Sequence, residues 1–109
     1  MNAVERLWTA AAERDWAGVR AQLAPGLRVD QPATGVVLEG ADSYVTQLVA
    51  RLDGDALPAL LDVVSEGKHV AAEVDVRRPG HRPQRCAQFV MLVEGRITRG
   101  VEYWVAIGR

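Results

Sequence analysis

The stretch His69-Val70-Ala71-Ala72-Glu73-Val74-Asp75-Val76-Arg77 alternates without a break. Val70, Ala72, Val74 and Val76 fall on one side, and Ala71, Glu73, Asp75 and Arg77 on the other. That period of two predicts a β-strand. Such a strand either turns its valines to a core and its charges to solvent, or turns Glu73 and Asp75 into a cavity and covers its valines with a second subunit. A one-residue slip in register exchanges the two arrangements, so the alternation leaves both open. The flanking segments Ala59 to Ser65, Gln84 to Val93 and Arg96 to Ile107 are also rich in β-branched and apolar residues. Glu66-Gly67 and Glu94-Gly95 mark tight hairpin connections, and Pro79-Gly80 lies in a longer loop between the middle pair.

The first half has a different period. Val4, Leu7, Trp8 and Ala11 recur at i, i+3, i+4 and i+7, which predicts a helix from Ala3 that ends at Glu13-Arg14. Asp15 is placed to N-cap a short second helix carrying Trp16, Val19 and Leu23, with Pro25-Gly26 as its stop. Leu27 to Gln31 and Val36 to Leu38 read as short strands joined through Pro32 and Thr34-Gly35. A third helix follows Gly40, with Val45, Leu48, Val49 and Leu52 at helical spacing and Asp53-Gly54-Asp55 as its break. Helices first and strands afterwards predict an α+β fold, a curved antiparallel or mixed sheet around a layer of three helices. No repeat or linker divides the chain, so residues 1–109 are expected to form one domain.

Composition narrows the function classes. The 109 residues are 49% hydrophobic and 25% charged, with a formal net charge of −1. A chain of that balance has an ordinary core and lacks the positive charge of a nucleic-acid binder. No run of about 18 apolar residues occurs, and Met1 to Arg6 has mixed charge, so neither a membrane span nor a signal peptide is expected. The lone Cys86 fits a reducing, cytoplasmic setting.

The order helix, helix, two short strands, helix, four-strand meander resembles the SnoaL-like families of the nuclear-transport-factor-two-like superfamily, whose fold is a cystatin-like cone. The residues that carry the likeness run from Arg14-Asp15-Trp16 to Val29-Asp30-Gln31-Pro32, then Leu38-Glu39-Gly40, Glu94-Gly95-Arg96-Ile97-Thr98 and Glu102-Tyr103-Trp104. The resemblance implies a cone whose mouth is a ligand pocket. Ketosteroid isomerases of this fold need a tyrosine and two carboxyl groups, and the positions that resemble theirs carry Leu7, Gln31 and Gln88 here, so all three depart. An amide cannot act as a base, so steroid isomerisation is excluded. Limonene-type epoxide hydrolases give the closest enzyme similarity. Their Arg-x-Asp strand matches Glu73-Val74-Asp75, their second Asp matches Glu102, and a water-holding amide matches Gln31. Glu73 stands in place of their bridging arginine and Val29 in place of a tyrosine. SnoaL-type polyketide cyclases need a single pocket carboxylate, which Asp75 or Glu102 could supply.

These implications set the expected site. Asp75 and Glu102 are the candidate acid–base pair. Gln31, Glu73, Gln88 and Trp104 are candidate pocket residues, and Tyr44 is a further one, set against a place on the surface. If Glu73, Asp75 and Glu102 converge, repulsion and burial raise at least one of their pKa values, with Arg77 or Arg51 as compensating charge. Trp8 and Trp16 lie on apolar helix stripes and read as packing, and Cys86 as an inert core residue. His69 and His81 have no ligand spacing, and no cofactor motif occurs, so neither metal nor cofactor is expected. The run Arg77-Arg78-Pro79-Gly80-His81-Arg82-Pro83-Gln84-Arg85 is either a solvated hairpin loop or an anion clamp. The expected partners are a small, mostly apolar, oxygenated molecule and a second copy of the chain through the outer sheet face, with no nucleic acid and no membrane. Two functions follow from this: cofactor-independent acid–base catalysis, of the epoxide hydrolase or polyketide cyclase type, or non-catalytic ligand binding or dimerisation.

Overall fold

A computed structural model describes residues 1–108. In chain order the elements are α1 (Ala3–Ala12), α2 (Trp16–Ala21), β1 (Leu23–Gln31), β2 (Val36–Glu39), α3 (Ala41–Arg51), β3 (Leu57–Glu66), β4 (His69–Arg77), β5 (Gln84–Val93) and β6 (Arg96–Ala106). The strands form one six-stranded sheet in the order β2-β1-β6-β5-β4-β3. Only β1 and β6 run parallel; every other neighbouring pair is antiparallel. The fold is α+β with a mixed sheet. No described helix is long and apolar enough to cross a membrane.

Local chemistry sets most of the boundaries. Asn2 and Glu5 form a capping box that starts α1. The helix ends in paired backbone bonds, Asp15 N–H to Ala10 O at 2.9 Å and Arg14 N–H to Ala11 O at 3.1 Å, with Arg14 left-handed at φ 59°. This is the bonding of a Schellman end with arginine where glycine is usual. Asp15 then starts α2 at once, its side chain accepting from Gly18 N–H. The Arg14 guanidinium donates to the carbonyls of Gly54 and Ala56, which ties the α1–α2 corner to the segment before β3.

The start of β1 differs most from the sequence reading. Leu23 and Pro25-Gly26 belong to β1, not to α2 and its stop. Ile97 N–H donates to Gln22 O at 2.8 Å, and Leu23 pairs with Ile97, so β6 draws the chain into the sheet four residues early. The register shifts between Leu23 and Arg28, which accommodates a proline that cannot donate to the ladder.

Strand β4 resolves the question of its two faces. Val70, Ala72, Val74 and Val76 face the helix layer and are buried, while Glu73 and Arg77 are exposed. The cover comes from within the chain: α1 packs on β3 and β6, and α3 on β1 and β2. Burying each valine contributes roughly 1.5–3 kcal/mol. The slipped register would forfeit that for three valines and carry Glu73 and Asp75 into the core. The arrangement in which a second subunit covers the valines is therefore corrected.

The two hairpins are equally specific. The pairing Glu66–His69 centres the β3–β4 turn on Gly67-Lys68, one residue beyond the expected Glu66-Gly67. The β5–β6 turn is Glu94-Gly95, between paired Val93 and Arg96, with φ of 51° and 76°. Positive φ at both central residues is the type I′ arrangement, which asparagine adopts more readily than glutamate. Glu94→Asn is expected to stabilise the protein by about 0.5–1 kcal/mol, the scale of relieving one left-handed non-glycine residue. Urea unfolding would register this as a higher midpoint at unchanged slope, and a lower midpoint would contradict it.

Candidate functional site

The concave side of the sheet carries an aligned polar row. Gln88 pairs with Glu102 across β5 and β6, and Cys86 pairs with Trp104 beside it. Asp30 pairs with Val101, which places Gln31 of β1 beside Glu102 on the same side. Gln31, Gln88 and Glu102 are all buried, and Glu102 is only 1% exposed. A carboxylate at that depth persists only if its oxygens are hydrogen-bonded.

Four donors meet that demand. Oε2 of Glu102 accepts from the Tyr44 hydroxyl and from Gln88 Nε2, each at 2.6 Å. Oε1 accepts from Gln31 Nε2 at 3.2 Å and from the Trp104 indole N–H at 3.1 Å. A carboxylate is acceptor-only, with about four lone-pair sites, and the network fills them. Each donor is itself oriented by a further contact. The Trp8 indole N–H donates to Gln88 Oε1 at 3.1 Å, which turns the amide's NH2 toward Glu102 and the Tyr44 oxygen. Gln31 and Gln47 exchange reciprocal amide bonds at 2.7 and 3.0 Å. Burial first, then the charge of Glu102, hold the Tyr44 phenol well above its ordinary pKa, so it remains a donor.

Arg51 closes the row. Its guanidinium lies over the Trp104 ring at 4.2 Å, and its Nε reaches Gln47 Oε1 at 3.4 Å. Burial lowers its pKa from the usual arginine value, against the opposing pull of Glu102, and the group stays a cation. Trp8 and Trp104 rings stand 6.4 Å apart and tilted by 59°. Beside Trp104 opens a cavity of about 220 Å³ at the mouth of the cone, walled by Arg51, Val76, Arg78, Arg82, Gln84 and Trp104.

The structure thus gathers Gln31, Tyr44, Gln88, Glu102 and Trp104 from the sequence-derived set. It does not bring Asp75 and Glu73 to them. Both lie on the outer face of β4, across the sheet from Glu102. Asp75 is covered by arginine side chains, accepting from Arg77 Nε at 2.6 Å and Arg85 Nε at 3.2 Å, and Arg85 also binds Glu73 at 3.1 Å. Burial by itself would push the Asp75 carboxyl up. The hydrogen bonds and charges of Arg77 and Arg85 outweigh that and hold it below the usual carboxylate range. The expected three-acid cluster, with a raised pKa from mutual repulsion, is corrected: one acid is inside, and the other two are neutralised outside.

Tyr44 is buried, so the alternative of a surface tyrosine is also corrected. Trp8 combines core packing with its bond to Gln88. Gln47 and the orienting role of Trp8 went unnoticed in the sequence. The spacing Tyr44, Gln47, Arg51, at i, i+3 and i+7 on α3, was the available signal for a polar row on a buried side. Burial, reinforced by the charge of Glu102, pushes the Cys86 thiol up and keeps it neutral. Among the described residues no group of three or more His, Cys, Asp or Glu side chains is placed to hold a metal ion.

A helix-lined cone with a buried polar floor and an open mouth defines a small α+β pocket protein. Residues 4–100 match the model of the SnoaL-like domain, and the chain belongs to that family. Among solved structures it is similar to a candidate ketosteroid isomerase from Kribbella flavida, at 20% identity and a TM-score of 0.85, over 98% of this chain and 78% of that one. It is also similar to a candidate polyketide cyclase from Sinorhizobium meliloti (20% identity, TM-score 0.75, 92% of each chain). An epoxide hydrolase of the limonene type from M. tuberculosis matches at 20% identity and a TM-score of 0.74, over 94% of this chain and 80% of that one. These likenesses establish the fold. No curated protein matches the sequence.

The outer carboxylate has a measurable signature. A folded-state pKa below the unfolded value means Asp75 stabilises the protein above the unfolded pKa near 4, and that this contribution is lost as pH falls through the lower folded value. Wild type is expected to exceed Asp75→Asn in unfolding free energy at pH 6, with the gap closing as pH falls below the unfolded carboxylate value of about 4. Urea titrations across that range test it; a gap independent of pH would contradict the Arg77–Asp75–Arg85 assignment.

Proposed function

We propose that the protein binds a small molecule at the mouth of its cone and acts on it by cofactor-independent acid–base chemistry through one carboxylate, Glu102. The observation that carries this reading is the four-donor network around a fully buried carboxylate. A site that only needed filling would take an apolar residue, because burying an ion costs several kcal/mol before its partners offset it. A hydrogen-bonded polar network set behind the wall of a pocket supports a functional reading. Trp104 links the two, its ring on the cavity wall and its N–H on Glu102.

One carboxylate limits the chemistry. Epoxide opening in the manner of the hydrolases requires an acid and a base on the two sides of a C–O bond, and Asp75 is not available for the second role. A single group that removes a proton from a bound molecule and returns it elsewhere, as in ring closure of a polyketide, requires only Glu102. Tyr44 and Gln88 would stabilise the carboxylate before the transfer, and Gln31 would hold the substrate-side oxygen. The second reading is ligand binding without turnover. It is favoured by the cavity wall, formed by Trp104 and Arg51 with Glu102 below, and by the donors that already occupy the carboxylate.

Thermal-shift screening of lactones, epoxides and polyketide fragments supplies the ligand, since a true ligand raises the melting temperature with concentration. Glu102→Gln is then expected to lower turnover by about 10²-fold or more while binding changes only a few-fold. Binding without turnover in the wild type selects the second reading.

We also propose that a second copy covers the outer sheet face and that the protein resides in the cytoplasm, the latter supported by its single, reduced cysteine. Val64, Phe89, Tyr103 and Val105 are exposed on that face, Phe89 by 52%. A hollow lined by Val64, His69, Phe89, Met91 and Arg99 lies among them. Contiguous apolar surface of this kind favours a self-complementary contact. Phe89→Glu is expected to convert a dimer to a monomer in light scattering, with the fold intact by circular dichroism; a wild-type monomer at high concentration would overturn the proposal.

A further inference from the structure

The mouth of the cone has a charge that the buried network does not use. Three arginines and a histidine, Arg51, Arg78, Arg82 and His81, line the 220 Å³ cavity, and no carboxylate does. The acids of the neighbouring sheet are spent elsewhere, with Asp75 and Glu73 bound to Arg77 and Arg85 on the outer face. Among the described residues, Arg51, Arg78 and Arg82 form no salt bridge, whereas Arg20, Arg28, Arg77 and Arg85 all do. The cations at the mouth are held by neutral groups instead. Arg78 donates to the Asp53 carbonyl at 2.9 Å, Arg82 to the Gly108 carbonyl, and Arg51 to the Gln47 amide oxygen. Arg78 Nε is buried without any hydrogen-bond partner among the described residues. A guanidinium carries five donors in a fixed fork, so most of this capacity is unused.

We propose that the mouth recognises an oxyanion, a carboxylate or a phosphate, on a ligand whose flat apolar body lies against Trp104. This inference rests on the pocket reading above and names the ligand class it accepts. Arg51 is partly buried and stacked on Trp104, and Arg78 lines the same cavity with its guanidinium anchored on the Asp53 carbonyl, so together they form a cationic frame. The forked geometry of two guanidinium groups suits the paired oxygens of a carboxylate or phosphate. A bound oxyanion fixes one end of the ligand at the rim and directs its other end along Trp104 toward Glu102. A cavity of 220 Å³ is smaller than the pockets of drug-sized ligands, about 300–1,000 Å³, so the group enclosed is a single ring or its equivalent.

The test compares benzoate and phenyl phosphate with the neutral benzamide. Titrations are followed by calorimetry and by the Trp104 indole N–H resonance, assigned through Trp104→Phe. Both anions are expected to bind at least about tenfold more tightly than benzamide, to shift the Trp104 signal, and to weaken as salt rises from about 20 to about 500 mM. Arg78→Gln is expected to abolish that tenfold preference, while Arg78→Lys retains part of it, and Arg82→Gln serves as a second probe where the first variant melts early. Equal binding of benzoate and benzamide overturns the oxyanion proposal and leaves the pocket intact. Failure of all three probes to move the Trp104 resonance overturns both the proposal and the pocket reading on which it rests.

Discussion

A carboxylate enclosed by protein must be given hydrogen bonds for every oxygen it exposes, and that requirement organises the inside of this cone. Glu102 is buried on β6, and its partners come from three other elements and from its own strand: Gln31 on β1, Tyr44 on α3, Gln88 on β5, and Trp104 two residues along β6. Trp8 on α1 completes the set by orienting Gln88. Helix layer and sheet are therefore joined by polar bonds as well as by apolar packing. A shift of α3 along the sheet would break the bond from Tyr44, and a slip of β5 against β6 would turn Gln88 outward. Because a half-satisfied polar network costs more than an apolar core, these bonds penalise alternative packings beyond what they add to stability.

Charge is sorted by face, and the sorting has consequences for function. The outer face pairs its acids with arginines on neighbouring strands, so Asp75 and Glu73 are neutralised among otherwise apolar residues. The concave face keeps one acid. The mouth keeps cations without acidic partners. In sum the chain is near neutral, yet each region carries a distinct charge that Coulomb interactions at short range make consequential. This partition separates single-carboxylate chemistry from the two-carboxylate chemistry that Asp75 and Glu102 together would have permitted.

Much of the architecture was legible because its causes are local. Asp15 is an N-cap by residue type, Gly40 and Asp53-Gly54 bracket α3, and Glu94-Gly95 is a two-residue turn. Leu23 reads as helical in the sequence because its pairing with Ile97 spans most of the chain, and no local signal encodes that partner. Within the site, Gln31, Gln88, Glu102 and Trp104 were legible through their place on strands that resemble those of known relatives. Gln47 was not, because an amide on a helix has no distinctive pattern until the residue it faces is known.

The sequence alone determined the period of each segment, and through it the α+β order of elements and the two-sided character of His69–Arg77. Alternation is a property of one strand, fixed by its own backbone, and so it can be read from the residues in order. Which side faces inward is a property of what covers the strand. Only the tertiary structure decided that, because α1 and α3 bury the valines of β4 together with the side of β6 that carries Glu102. The same choice turned Asp75 outward, where two arginines could reach it. A single strand therefore carried both answers, and the helix layer selected between them.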